Sequence, residues 1–140
     1  MQTPQAGRQA PRAGRKGTGQ DAPPAPAENL RDFLALLREL QKIDPEFPLQ
    51  YAVCLAEISM NEGLSLTRLA ETAGMPLSTV SRIVGALSKH RQKGAPYGLV
   101  RVVISAEERR KKEIYLTSRG RAVVVSLAEI LAARGALLRA

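Results

Sequence analysis

The sequence predicts a mainly α-helical domain carrying one small β-hairpin, and three observations support it. Apolar residues recur at helical spacing in successive segments from about residue 30 onward. The period shortens to two only between residues 99 and 116. The core must be built from Leu, Val, Ile and Ala, because aromatics make up 4% of the 140 residues and Trp is absent.

Residues 1–28 hold Pro, Gly and basic residues in runs such as Pro11-Arg12-Ala13-Gly14-Arg15-Lys16-Gly17, with no apolar stripe. The expectation is a disordered basic arm before a domain spanning 29–140. Leu30, Phe33, Leu34, Leu37 and Leu40 then mark one face of a helix over 30–44, closed by Pro45 and Pro48. A second, more apolar helix is expected from Leu49 to Met60, followed by the turn signal Asn61-Glu62-Gly63.

Residues 65–89 read as two short helices around a tight turn. Ser65 suits an N-cap, Gly74 a left-handed helix end, and Pro76 the start of the next helix. In that second helix Leu77, Val80, Ile83, Val84 and Leu87 face inward, and Ser78, Thr79, Ser81, Arg82 and Gly85 face outward. Over 99–116, Val100, Val102 and Ile104 alternate with Leu99, Arg101 and Val103. Ile114 and Leu116 return as the second strand. Thr117 is placed to cap a final helix over 118–138, with Val123, Val124, Leu127, Ile130, Leu131, Leu137 and Leu138 on its apolar face.

This order of elements describes a winged helix-turn-helix flanked by N- and C-terminal helices, whose broad apolar faces suit a dimerisation region. The major groove of B-DNA is about 12 Å wide and admits one helix, provided its outer face is slim. Ser78, Thr79, Ser81 and Gly85 are small, and Arg82 can offer two donors to a guanine. The net charge of +8 points to an anionic partner. From Lys89 to Lys112 eight cations stand against two acids, a net of +6, whereas Leu30 to Ser88 carries five cations and seven acids, a net of −2. The positive charge is thus concentrated just after the second helix and on the hairpin, at Lys89, Arg91, Lys93, Arg101, Arg109, Arg110, Lys111 and Lys112.

Ser65-Leu66-Thr67-Arg68-Leu69-Ala70, Ser78 through Leu87, Gly98-Leu99-Val100, Glu108-Arg109-Arg110, Leu116-Thr117 and Gly120-Arg121 together resemble the MarR-type bacterial transcription regulators over roughly residues 30 to 140. The resemblance implies a homodimer on a pseudo-palindromic operator, with the recognition helix in the major groove and a wing arginine, here Arg110, in the minor groove. The family's orienting aspartate is replaced by Glu108, and Glu113 stands where the returning strand usually carries an apolar residue. The chain also ends after one C-terminal helix, where relatives carry two. A dimer would therefore rest on Leu30, Phe33, Leu34 and Leu37 with Leu127, Ile130, Leu131 and Leu138.

The function expected is sequence-specific binding of double-stranded DNA, with repression by covering a promoter. Two other classes compete: a winged-helix protein–protein adaptor, and a sequence-blind architectural or replication protein of a phage or plasmid. No catalytic set, cofactor or metal site is expected. His90 is the only histidine, and no glycine-rich phosphate loop or Ser/His/Asp set is present. Relatives often bind small apolar effectors, but nothing in the sequence names one. Cys54, between Val53 and Leu55, reads as core packing rather than a reactive thiol. No apolar run approaches the roughly 20 residues of a membrane span, and no secretory signal precedes the domain, so a cytoplasmic, nucleoid-associated protein is expected.

Overall fold

The computed structural model describes residues 26–89 and 94–139, with side chains from 27 to 133 in that range. The element order is α1 (Pro26–Gln41), α2 (Leu49–Met60), β1 (Leu64–Ser65), α3 (Leu66–Ala73), α4 (Leu77–Leu87), β2 (Val100–Ile104), β3 (Lys112–Leu116) and α5 (Ser118–Arg139). The chain divides into two units, Met1–Arg31 and Asp32–Ala140. Of the first, only the opening turns of α1 fall among the described residues; the second holds every other element.

The expected mainly α architecture with a hairpin is present, with local boundary differences. The helix expected over 30–44 runs from Pro26 to Gln41, so it starts inside the segment expected to be a disordered arm. It stops before 44 because Asp44 turns the chain: its carboxylate accepts the Glu46 N–H at 2.9 Å and its carbonyl the Phe47 N–H at 2.9 Å. Helix α2 begins after Pro48, whose φ of −67° suits the residue before a helix. Ser65 caps α3 by accepting the Arg68 N–H at 3.1 Å, and Gly74 ends it at φ +68°, a conformation that disfavours a Cβ.

The core is the expected aliphatic one. Cys54, Leu55 and Ile58 of α2, Leu69 of α3, and Val80, Ile83, Val84 and Leu87 of α4 meet Leu99, Val100, Ile114 and Leu116 from the hairpin. Burying a large aliphatic side chain of this kind contributes about 1.5–3 kcal/mol of hydrophobic stabilisation. Tyr97 joins the core edge-on to Phe47 and Tyr51, with ring centroids 5.1 and 6.0 Å away, and its hydroxyl donates to Asp44 at 2.6 Å. In the sequence this link stands out only as basic and glycine-containing.

The sheet has three antiparallel strands in the order β1-β3-β2, one more than the hairpin alone. Two residues make β1, too few for a periodic signal, and they pair Leu64 with Ile114 and Ser65 with Glu113. Between β2 and β3 the register sets Val100 against Leu116, Val102 against Ile114 and Ile104 against Lys112. Among the described residues no helix is long and apolar enough to cross a membrane.

Candidate nucleic-acid interface

Helix α4 is held along its inner face and at its end. Its apolar face is buried at Val80, Ile83, Val84, Ala86 and Leu87. Its last carbonyls, which lack partners within the helix, are taken up by the returning chain: Ala86 accepts the Tyr97 N–H at 3.0 Å, Leu87 that of Leu99 at 2.7 Å, and Ser88 that of Gly98 at 3.2 Å. The fixed inner face leaves the other outward. Ser78, Ser81, Arg82 and Lys89 are exposed, and Thr79 and Gly85 are half-buried. Leu77 departs from expectation: placed inward by its spacing, it is 50% exposed, because it starts the helix where the first turn leaves the core.

The hairpin projects beside α4. Its tip carries Arg109, Arg110, Lys111 and Lys112, all exposed. The tip is shaped by Ser105, which is buried at 7% exposure. The Ser105 hydroxyl accepts the N–H groups of Glu107 and Glu108 at 3.2 and 3.3 Å, and its own N–H donates to the Lys111 carbonyl at 2.8 Å. Among the described residues Glu108 makes no ion pair with Arg110, so the orienting acid implied by the resemblance is not engaged. Arg91, Lys93 and His90 lie outside the described residues.

Three residues of the strand pattern show how the hairpin sits on the core. Arg101 is paired in register with Tyr115, and its guanidinium carbon lies 4.8 Å from that ring's centroid, on the sheet face opposite Val102. Val102 and Ile104, which share the sheet face of buried Val100, are 38% and 61% exposed. The hairpin extends past the core, so only the strand roots are covered. The two side chains line a groove of about 800 Å³ whose other wall is Ser78, Ser81, Arg82 and Gly85 of α4.

The cations of this face are unpaired among the described residues, as are Arg31, Arg38, Arg101 and Arg119 elsewhere. Among the described residues Arg82, Lys89 and Arg109 through Lys112 form no ion pair, whereas Lys42 binds Glu39, Arg68 binds Glu71 and Arg121 binds Glu62. Sequence places Glu62 only within a turn, yet it does more. Its carboxylate accepts the Leu116 N–H at 2.9 Å and two contacts from Arg121 at 2.9 and 3.1 Å, which joins the α2–β1 turn to β3 and α5. The Leu116 hydrogen bond first, and Arg121 second, hold its carboxyl below the ordinary carboxylate range.

The start of α5 is equally constrained. Thr117 caps it by accepting the Gly120 N–H at 3.0 Å and donates to the Gly98 carbonyl at 2.7 Å. A Cβ on Gly120 would come within 1.9 Å of the Leu99 carbonyl oxygen, so only glycine fits. The expected dimer residues Leu30, Phe33, Leu34 and Leu131 are exposed, Leu37, Leu127 and Ile130 half-buried, and the Leu138 side chain lies outside the described ones. Cys54 is fully buried, and desolvation, helped by Glu57, pushes its thiol up to about 11. It is therefore a protonated core residue at neutral pH.

The model of the IclR helix-turn-helix domain matches residues 58–92, the stretch that holds β1, α3 and α4. No curated protein sequence matches the chain. Among solved structures, the S. aureus MepR–DNA complex is similar over 81% of this chain and 83% of its own, with a TM-score of 0.62 and 18% identity. The transcriptional repressor CouR bound to a 23-mer DNA duplex is similar over 84% and 72%, with a TM-score of 0.54 and 24% identity. A MarR family transcription regulator is similar over 91% of this chain and 77% of its own, with a TM-score of 0.58 and 20% identity. At these identities the likeness shows the fold: this chain has the winged helix-turn-helix fold of the MarR-type regulators.

Proposed function

We propose that this protein is a sequence-specific regulator of transcription that binds double-stranded DNA, acting as a homodimer on a pseudo-palindromic operator and repressing by occupying the promoter. The observation that carries the reading is the set of cations on the outward face of α4 and on the hairpin tip, Arg82, Lys89 and Arg109 through Lys112, that form no ion pair among the described residues. A cation already paired with a carboxylate gains little from a phosphate, whereas one without a partner releases DNA counterions on binding.

In this reading α4 lies in the major groove. Ser78, Thr79, Ser81 and Gly85 let the helix approach, and Arg82 reads a base edge. The wing crosses the sugar–phosphate backbone, with Arg110 directed into the minor groove and Lys111 and Lys112 on phosphates. The likeness to MepR and CouR, both solved with DNA, supports this docking. The exposed apolar side chains of α1 and α5 supply the dimer contact in the proposal.

The test is a gel shift on DNA from upstream of the protein's own gene, against random duplex. The expected result is retardation of the upstream fragment at lower protein concentration. Arg82→Ala should lose about 1–3 kcal/mol on that fragment and little on random DNA, while Arg110→Ala should weaken both more evenly. Equal losses on both for Arg82→Ala would rule out base reading by that side chain.

A further inference from the structure

We propose that Tyr97 is a positioning residue for DNA recognition, a strut that fixes the C-terminal end of α4 against the turn between α1 and α2. The inference rests on the reading that α4 reads duplex DNA and adds what sets the attitude of that helix.

The last turn of α4 is held by the chain that returns beside it. Tyr97, Gly98 and Leu99 donate their N–H groups to the carbonyls of Ala86, Ser88 and Leu87. Gly98 has no side chain, and that of Leu99 is buried in the aliphatic core. Tyr97 alone of the three makes a directional side-chain bond to a distant part of the chain. Its hydroxyl donates to the Asp44 carboxylate at 2.6 Å, and its ring meets Phe47 and Tyr51 edge-on at 5.1 and 6.0 Å. Ala86 lies one helical turn beyond Arg82, the side chain proposed to read a base edge.

Both ends of the strut are anchored to backbone. At one, the Tyr97 N–H bonds the Ala86 carbonyl at 3.0 Å. At the other, Asp44 is seated in its own turn: its second carboxylate oxygen accepts the Glu46 N–H and its carbonyl that of Phe47, each at 2.9 Å. An O–H donated to a carboxylate at this length is of the short, charge-assisted kind. Core packing by itself does not call for it. Phenylalanine would bury the same ring without a hydroxyl to satisfy, and Tyr97 is only 5% exposed. Edge-on rings tolerate sliding, whereas a directional bond to a fixed acceptor sets a distance. A guanidinium that offers two donors to a guanine needs that distance kept, since both bonds must align together.

Tyr97→Phe in the full chain is the test, because it removes the hydroxyl and keeps the ring. Amide hydrogen exchange reads the strut without DNA. The amides of residues 97, 98 and 99 are expected to exchange about tenfold faster than in the parent, and those of Leu116 and Gly120 at the parent's rate. Fluorescence anisotropy then compares a labelled duplex from upstream of the protein's own gene with a random one. The preference for the upstream duplex is expected to fall about fivefold. Affinity for the random duplex and its salt dependence should stay as they are, because no cation is touched. Asp44→Asn attacks the same bond from its other end, leaving a neutral acceptor, and should lower the preference by less. The double variant should be no worse than Tyr97→Phe.

Exchange that speeds up equally at Leu116 and Gly120, with the preference kept, makes Tyr97 a packing residue and overturns the proposal. A parent-like preference in Tyr97→Phe overturns it whatever the exchange pattern. So do losses that add in the double variant, since the two side chains would then act separately. A parent chain that binds both duplexes alike overturns the reading of α4 first, and this inference falls with it.

Discussion

The root and the tip of the hairpin are made of similar material, short strands and charged side chains, yet they are held in opposite ways. At the root the neighbouring groups are tied to one another. Glu62 bridges Leu116 and Arg121, Thr117 bridges Gly98 and α5, and Gly120 packs directly on Leu99. At the tip one hydroxyl, that of Ser105, shapes a loop whose four cations have no acidic partner among the described residues. Charge at the root is consumed in closing the fold. Charge at the tip is left available to an outside anion.

The comparison breaks most severely at Gly120. Gly120→Ala forces a methyl onto a backbone oxygen, which cannot swing away as a side chain would. The expected loss is about 3 kcal/mol or more, read as a marked fall in Tm. A variant that melts with the parent would mean that α5 can shift freely against the root.

Next comes Glu62. Glu62→Ala removes the acceptor of the Leu116 N–H and the partner of Arg121. The expected cost is about 1 kcal/mol, since solvent screens much of the ion pair. Because the folded carboxyl titrates below its ordinary value, its stabilisation is present above that ordinary value and is lost as pH falls through the depressed one. Acid titration of Tm should accordingly show a shallower decline in Glu62→Gln than in the parent. Identical acid limbs would remove Glu62 from the root.

The smallest effect is expected at the tip. Ser105→Ala should cost less than about 1 kcal/mol of global stability, because the loop it shapes covers little core. Amide hydrogen exchange at Glu107 and Glu108 should nevertheless speed up. Unchanged exchange there would show that the tip holds its form without the hydroxyl.

Much of this architecture is legible in the sequence wherever the signal is local. The bounds of α2, the Ser65 cap, the Gly74 helix end and the outward set on α4 each follow from residues within a turn or two of one another. The groups that escape are joined across long separations. Glu62 meets Leu116 and Arg121 at 54 and 59 positions' remove, and Tyr97 meets Asp44 at 53. No periodicity encodes such a meeting. Alternation likewise puts Val102 and Ile104 on the correct sheet face but cannot tell how far the strands run past the core. The outward positions of α4 are readable because its apolar residues recur at helical spacing, which leaves the small and hydrogen-bonding ones on the other side.

The peptide at Leu99 is common property of two helices. Its N–H engages the end of α4 and its carbonyl the Thr117 N–H at the start of α5, at 2.7 and 3.0 Å. One residue at the root of the hairpin thus anchors the end of α4 and the cap of α5 together.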